Sequence, residues 1–355
     1  MRVAAFTKYG PMAASTRQRL IQYLPRLAAA GIEVDHYPFL PDDYVRGVAT
    51  GRPYPRGRTL GAYAGRFRQL VAGTEADLVW VYAELFPYLP GTLERLAFRS
   101  GKPVVYDCDD AFFHAYDAHP NPRVRRLLGR KLEPLLSGAA AACCGNKYLE
   151  SYVSRFCDRT MLLPTVVDTG LYGAAPGPRP DRPVTIGWIG SPSTWPYMRP
   201  ILPLLRELAA SRGIRIRVVG AGPAAQADAF PGLDLVEWSE ALEIAEVQAM
   251  DIGVMPLPDD IWALGKCGYK LIQYMACALP VVASPVGVNS EIVSPGDNGF
   301  LATGEAEWRD SLVRLIDDPE LRRTFGAAGR RRVEESYSLD VHAPRFIGLL
   351  KSLAR

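Results

Sequence analysis

The sequence is poor in the residues that build metal and redox centres. Its 355 residues include 4 histidines, none of them clustered at metal-ligand spacing. The 6 cysteines, at 108, 143, 144, 157, 267 and 277, form no C-x-x-C pair. That spacing excludes zinc-finger and dithiol motifs and leaves buried, reduced thiols of a cytoplasmic protein as the expectation. Long apolar runs are also missing near the start, where MRVAAFTKYG offers only VAAF. Such a run is too short for a signal-peptide core or a membrane span. No strand-like run leads into G-x-G-x-x-G with an acid about twenty residues on, which argues against a nicotinamide-dependent oxidoreductase. Nucleic acid is not an expected partner, because the sequence pI is only about 8.5 and no recognised binding module accompanies the charge.

The length suits two domains of ordinary size. Hydrophobic residues at 48% and charged residues at 22% place the chain among soluble globular proteins rather than disordered or fibrous ones. Charge is divided unevenly along it. Residues 1–175 carry 22 Lys+Arg and 16 Asp+Glu, the remainder 19 and 22, so the front half is +6 and the back half −3.

Short apolar runs alternate with helical periodicity in both halves, the pattern of βαβ units and a parallel sheet. The front half has RVAAFTKY, a helix over STRQRLIQYLPRLAAAG, IEVDHYPF, a loop over residues 46–58, ADLVWVYAE and KPVVYDCDD. TGLYGAAPGPRPDRP is too rich in Gly and Pro to carry an element, so residues 169–183 are expected to link an N-terminal domain, 1–168, to a C-terminal domain, 184–338. Residues 339–355 are expected to form a helix crossing back to the first domain. The expected fold class is α/β, with two Rossmann-like, doubly wound parallel-sheet domains facing a central cleft where ligands of open sheets bind.

Two stretches of the back half carry chemistry. In VTIGWIGSPSTWPYM a strand ends at Gly187-x-x-Gly190 and a helix opens at Ser193 or Thr194. This is either a backbone-amide cradle for phosphate or a tight turn with a hydroxyl cap. In GKCGYKLIQYMACALPVVASPVGVNSEIV, residues 265–293, Lys266 and Lys270 stand where a new helix begins. A helix N-terminus already favours anions, so two ammonium groups there point to a bound diphosphate unless both reach into solvent. Gln273 lies one turn on, at the spacing that shares a face with Lys270 and could reach sugar or ribose hydroxyls. Asn289, Ser290 and Glu291 follow a Gly287 turn, where the glutamate either caps a helix or holds ligand hydroxyls.

The order of these stretches, with VVGAG, DIGVMPLPDD and NGFLA between and after them, resembles the donor half of the glycosyltransferase family 4 enzymes, which have the GT-B fold. LPTVVDTGLY is similar to that family's interdomain segment. The resemblance implies a nucleoside-diphosphate-sugar donor, transfer with retention of anomeric configuration, and no required metal or other cofactor. Two glutamates with seven residues between them are common in that family, whereas the matching positions here are Gly265 and Gln273. Basic residues just after the first glycine turn are missing as well, leaving Lys266 and Lys270 to supply the cationic charge.

In the front half, Asp107, Asp109 and Asp110 end one strand, and Glu84 ends another. Three carboxylates in four residues first suggest a metal. The resemblance instead puts Asp109 and Asp110 beside the sugar. Arg17 and Lys8 flank the glycine turn after the first strand; His114 and His119 are read as ordinary loop residues. NPRVRRLLGRKLEP is a basic amphipathic pattern with Val124, Leu127, Leu128 and Leu132 on one side, consistent with an anionic membrane surface, a lipid-diphosphate acceptor or a solvated face.

The expected function is a retaining glycosyltransferase acting on a glycan, lipid-linked or small-molecule acceptor hydroxyl, cytoplasmic or peripheral at the inner membrane surface. The alternatives are a nucleotide-sugar epimerase of the same fold and a catalytically impaired nucleotide-sugar-binding protein. Lys266, Lys270 and Asp109 are the expected catalytic residues. Gly190, Ser191, Ser193, Thr194, Gln273, Asn289, Ser290 and Glu291 are expected at the donor; Arg17, Glu84 and Asp110 at the acceptor or sugar; no metal ligands are expected.

Overall fold

The computed structural model describes residues 1–73, 75–175, 177 and 181–354. The segment read as a linker, 169–183, is thus partly covered; residues 176 and 178–180 lie outside the described residues. The strands are β1 (Arg2–Tyr9), β2 (Glu33–Leu40), β3 (Leu78–Tyr82), β4 (Val104–Cys108), β5 (Ala141–Cys144) and β6 (Thr160–Leu162), then β7 (Thr185–Ile189), β8 (Arg215–Val219), β9 (Leu233–Val236), β10 (Ile252–Met255), β11 (Val281–Ala283) and β12 (Gly299–Leu301).

They form two six-stranded sheets, ordered β2-β1-β3-β4-β5-β6 and β12-β11-β10-β7-β8-β9. Every pairing between these strands is parallel. Helices cover both faces of such sheets, which explains why β3, β4, β7 and β10 are buried along their whole length and read as apolar runs rather than alternating ones. In each sheet the strand order reverses once, between β1 and β3 and between β7 and β10. At those switch points the loops after neighbouring strands part and leave a crevice at the carboxyl ends.

The helix expected over residues 15–31 is broken into Ala14–Arg19, a tight turn at Ile21–Tyr23, and Leu24–Ala29. Pro25 lacks the amide that a continuous helix needs there. The loop expected over 46–58 is a larger correction. A helix, Asp42–Ala49, runs into it, and a 17-residue helix, Arg56–Ala72, begins inside it. Gly57, Gly61 and Gly65 lower the helical propensity of that second segment, and packing overrides them. The basic stretch 121–134 is not one amphipathic helix but two short ones, Pro122–Leu128 and Glu133–Leu136. Leu132 is buried between them. Lys131 is buried too, paired with Glu94 and, at 3.3 Å, with Glu84, so Leu132 and Lys131 leave the expected exposed stripe, whereas Leu127 stays exposed.

The last helix, Leu339–Leu353, packs on the first domain. Leu339, Ala343, Phe346 and Leu350 share a core with Val3, Leu20, Tyr23 and Trp80, and the Phe346 ring lies 4.8 Å from that of Trp80. Tyr172, upstream of β7, already packs in the core of the second domain beside Leu271 and Met275.

Candidate active site

The second domain's switch point sits between the 190–194 loop after β7 and the 256–268 loop after β10. Gly268 takes the left-handed conformation (φ 66°) that starts the helix Tyr269–Ala276, a turn that suits a residue without Cβ. Lys266 precedes that helix and Lys270 lies in its first turn, beside the positive end of the helix dipole. Lys266 Nζ reaches across to the first domain and donates to Asp110 Oδ2 at 2.5 Å. Burial opposes the charge on Lys266, but the Asp110 carboxylate outweighs it and holds the ammonium above its ordinary value. Lys270 makes no ion pair among the described residues and lies over the Trp188 ring, 5.6 Å from its centroid. Burial first, and then the charge of Lys266, push Lys270 down to about 8, with Asp110 pulling the other way. Asp110 and, more weakly, Asp109 offset the charge of Lys266, whereas Lys270 has no carboxylate in an ion pair with it among the described residues.

The carboxyl end of β4 supplies the facing wall. Tyr82 Oη donates to Asp109 Oδ1 at 2.5 Å, and the Asp109 carbonyl accepts from Cys267 Sγ at 3.1 Å. Burial pushes the Asp109 carboxyl up to about 6 against the pull of Arg19 and Tyr82. Asp107 is fully buried and belongs to a different network: it pairs with Arg19 and accepts from Trp80 Nε1 at 3.3 Å. The three carboxylates of this segment therefore diverge, and among the described residues no three His, Cys, Asp or Glu side chains cluster as ligands.

Four of the expected contacts need correction. The amides of the 190–194 loop are mostly spent within the fold. Gly190 N donates to Val219 O, Ser191 N to Thr194 Oγ1 at 3.2 Å, and Thr194 N and Trp195 N to Ser191 O. What remains toward solvent is a set of hydroxyls, with Ser191 Oγ 2.9 Å from Ser193 Oγ. Gln273 is buried and donates to Glu243 Oε1 at 2.7 Å and to Tyr172 Oη at 3.1 Å, so its amide braces the helix rather than opening to a ribose. Asn289 is fully buried, its amide donating to Ser284 O at 3.1 Å, while Ser290 is exposed beside it. Glu84 is also buried, accepting from Lys8 Nζ at 3.1 Å and Tyr116 Oη at 2.6 Å beside Lys131, so its oxygens are committed to the fold. Lys8, near the end of β1, and Glu84, just after β3, nonetheless stand at the first domain's switch point.

The remaining candidates bridge the domains. Glu291 is exposed and pairs with Lys147 of the first domain at 3.0 Å. Arg17 donates to Glu243 Oε2 at 3.0 Å and lies over the Trp238 ring at 4.5 Å. Asn146 donates to the carbonyls of Leu264 and Lys266 at 3.2 and 3.0 Å. His114 is held between Asp117 and Tyr148 and opens a short helix, His114–Asp117, rather than lying in a loop.

Glu243, Asn146, Trp188 and Tyr82 are site residues that sequence reasoning missed. Glu243 gathers Arg17, Trp238 and Gln273, yet Arg17 lies 226 positions away, and no local pattern announces such a partner.

Gly265 has a physical reason here. A Cβ at that position would sit 2.5 Å from Ala111 Cβ and 2.6 Å from its backbone nitrogen, atoms of the opposite domain. A glutamate cannot fit while the domains remain docked as they are. Gly265→Glu is expected to destabilise the docked arrangement by about 1–3 kcal/mol, the usual penalty of overpacking. Limited proteolysis and small-angle scattering should show a more open molecule; an unchanged scattering profile would contradict the packing argument.

Residues 184–318 match the family model of the Glycosyl transferases group 1. That match spans well under half of the chain and lies within the second domain. Relatives that the chain matches in part carry glycosyltransferase names. The chain is 33% identical over 116 residues to a GDP-mannose-dependent monoacylated alpha-(1-6)-phosphatidylinositol monomannoside mannosyltransferase of Corynebacterium glutamicum, a match covering 32% of this chain and 30% of the relative. It is 34% identical over 91 residues to a D-inositol 3-phosphate glycosyltransferase of Pseudarthrobacter chlorophenolicus, covering 25% and 20%. These matches thus span less than a third of either relative's own length.

Solved structures extend the likeness to the whole glycosyltransferase fold. Sucrose-phosphate synthase of Thermosynechococcus elongatus superposes with a TM-score of 0.69 at 17% identity, and Anabaena HepE, solved with UDP and glucose, with 0.71 at 14%; each covers 99% of both chains. The fold is GT-B.

Proposed function

We propose that the protein transfers a sugar from a nucleoside-diphosphate sugar to an acceptor hydroxyl, with retention at the anomeric carbon. The observation that carries this reading is Lys270: a half-buried ammonium that pairs with no carboxylate among the described residues, beside a second lysine and a helix N-terminus, at a switch-point crevice. A partly desolvated cation without an ion-pair partner is disfavoured by itself and becomes favourable when an anion enters. A diphosphate fits that demand. HepE was solved with UDP-glucose, and the Corynebacterium relative is named as GDP-mannose-dependent, which supports a nucleoside-diphosphate sugar as donor.

In this account Lys266 and Lys270 take up the charge that develops on the departing diphosphate. The bond from the anomeric carbon to the phosphate oxygen breaks and the bond to the acceptor oxygen forms on the same face. The acceptor proton passes to a phosphate oxygen. Asp110 holds Lys266 across the cleft, Asp109 lines the sugar side, and the first domain presents the acceptor near Lys8. Ser191, Ser193 and Thr194 contribute hydroxyls at the donor, and no cofactor beyond the donor is invoked.

The pH dependence has a defined sign. A bound diphosphate stabilises the protonated form of Lys270, so its affinity should fall as pH rises through about 8, by at most about tenfold per pH unit from this one group. For the unliganded fold the sign is opposite. Between about 8 and the ordinary lysine value only the unfolded chain keeps this proton, so the group's contribution to stability rises with pH across that window. Fluorescence titrations with UDP and GDP between pH 7 and 10 check the first statement; affinity that is flat or rises with pH contradicts it.

The activity itself is tested by incubating the protein with UDP-, GDP-, ADP- and dTDP-sugars and an acceptor panel, following nucleotide release and assigning the product anomer by NMR. An α-linked product from an α-donor is the expected result. Epimerised donor formed without any acceptor would replace transfer by isomerisation, and inverted product would overturn the stereochemistry.

A further inference from the structure

The first domain leaves one long helix face uncovered. On Arg56–Ala72 the residues Leu60, Ala64, Phe67 and Val71 recur at intervals of four, three and four, which puts them on a single stripe. Leu60 is 70% exposed, Phe67 49% and Val71 38%. The stripe cannot turn inward, because the opposite face is anchored. Arg66 and Leu70 are buried, and Arg66 donates to the carbonyls of Thr7 and Tyr37 at 3.0 and 2.9 Å. Beside the stripe, between this helix and residues 86–93, lies an apolar groove of about 640 Å³ lined by Phe67, Val71, Phe86, Leu89 and Leu93, with Arg68 at its edge.

The charges of this helix are of one sign. Its 17 residues include four arginines and no acid. Arg56, Arg58 and Arg68 are exposed, and the carboxylate paired with them is that of Asp43, 3.6 Å from Arg58. Apolar side chains flanked by arginines match the boundary of an anionic bilayer, where acyl chains accept the stripe and phosphate headgroups accept the guanidinium groups. A second copy of the chain would instead bring the same arginines against one another.

We propose that the Arg56–Ala72 face docks the protein on an anionic phospholipid membrane, lying in the interface plane. Docking there does not depend on the transferase reading, since none of its residues belongs to the cleft. Among the described residues no helix is long and apolar enough to cross a membrane, so this would be a contact with one leaflet.

The test is sedimentation of the full chain with vesicles of phosphatidylglycerol and phosphatidylcholine, and with phosphatidylcholine alone. The wild type is expected to sediment with the anionic vesicles and much less with the neutral ones. Phe67→Ser/Val71→Ser should lower the partition coefficient at least tenfold. Arg56→Ala/Arg68→Ala should lower it by about fivefold per arginine, in a way that added salt mimics. Both double variants change exposed side chains and should keep the wild-type melting temperature and nucleotide affinity. The proposal is overturned if the wild type ignores anionic vesicles, if both variants bind them like the wild type, or if the apolar variant abolishes a concentration-dependent dimer instead.

Discussion

Lys270→Ala is expected to lower sugar transfer by about two to three powers of ten, the loss typical of removing one preorganised group that stabilises developing negative charge. The fold should survive intact. Lys270 makes no ion pair among the described residues, and burial and Lys266 both disfavour its charge, so removing the ammonium relieves a strain of the unliganded state. The combination of lost turnover and undiminished melting temperature is the signature of a group kept for its ligand rather than for the fold. Lys266→Ala differs because it strands Asp110 at the domain interface, so it should lower both turnover and stability. Steady-state kinetics and thermal melts on the two variants separate these outcomes. A Lys270→Ala enzyme with near-normal turnover would remove the residue from the mechanism.

The second large effect concerns the fold beneath the site. Arg19→Ala should destabilise the protein by about 3–5 kcal/mol, because it leaves a charged partner buried without compensation. Arg19 and Asp107 are both almost fully inaccessible. The guanidinium also donates to Leu163 O at 2.7 Å, tying the helix Ala14–Arg19 to β4 and to the segment after β6. Asp107 lies in β4 two residues before Asp109, so the loss should reach the cleft as well as the core. Chemical denaturation measures it directly. A change below 1 kcal/mol would mean that water or rearrangement satisfies Asp107, and the pair would then not be what fixes this wall.

Much of the architecture was legible in the sequence because parallel strands buried on both faces leave an unmistakable trace. LVWVY, VVYDC and IGVM cannot be amphipathic helices of useful length, and each became a central strand. The helix Arg56–Ala72 was illegible for the opposite reason: three glycines and four arginines mimic a loop, and what makes it helical is the burial of Arg66 and Leu70 against distant strands. Turn counting placed Gln273 on the face of Lys270, but that spacing cannot tell which side of the helix the core occupies. Tyr172 and Glu243, from two other segments, claim its amide.

The cationic corner itself could be anticipated, since two lysines at a helix N-terminus are an electrostatic anomaly that only an anion resolves. The phosphate cradle of amides could not be judged in the same way. Whether the Ser191 and Thr194 amides are free depends on the exact turn after Gly190, and the turn adopted pairs them internally. In the proposed account the donor is therefore held by lysine ammonium groups and hydroxyls more than by backbone donors.

Calorimetric titration of the wild type and Lys270→Ala with UDP and GDP at pH 7 and pH 9 is the most direct test of that statement. The account predicts that one of the two nucleotides binds the wild type, that it binds more weakly at pH 9, and that removing Lys270 weakens the binding and abolishes its pH dependence. Equal affinity in wild type and variant, or binding indifferent to pH, would contradict it.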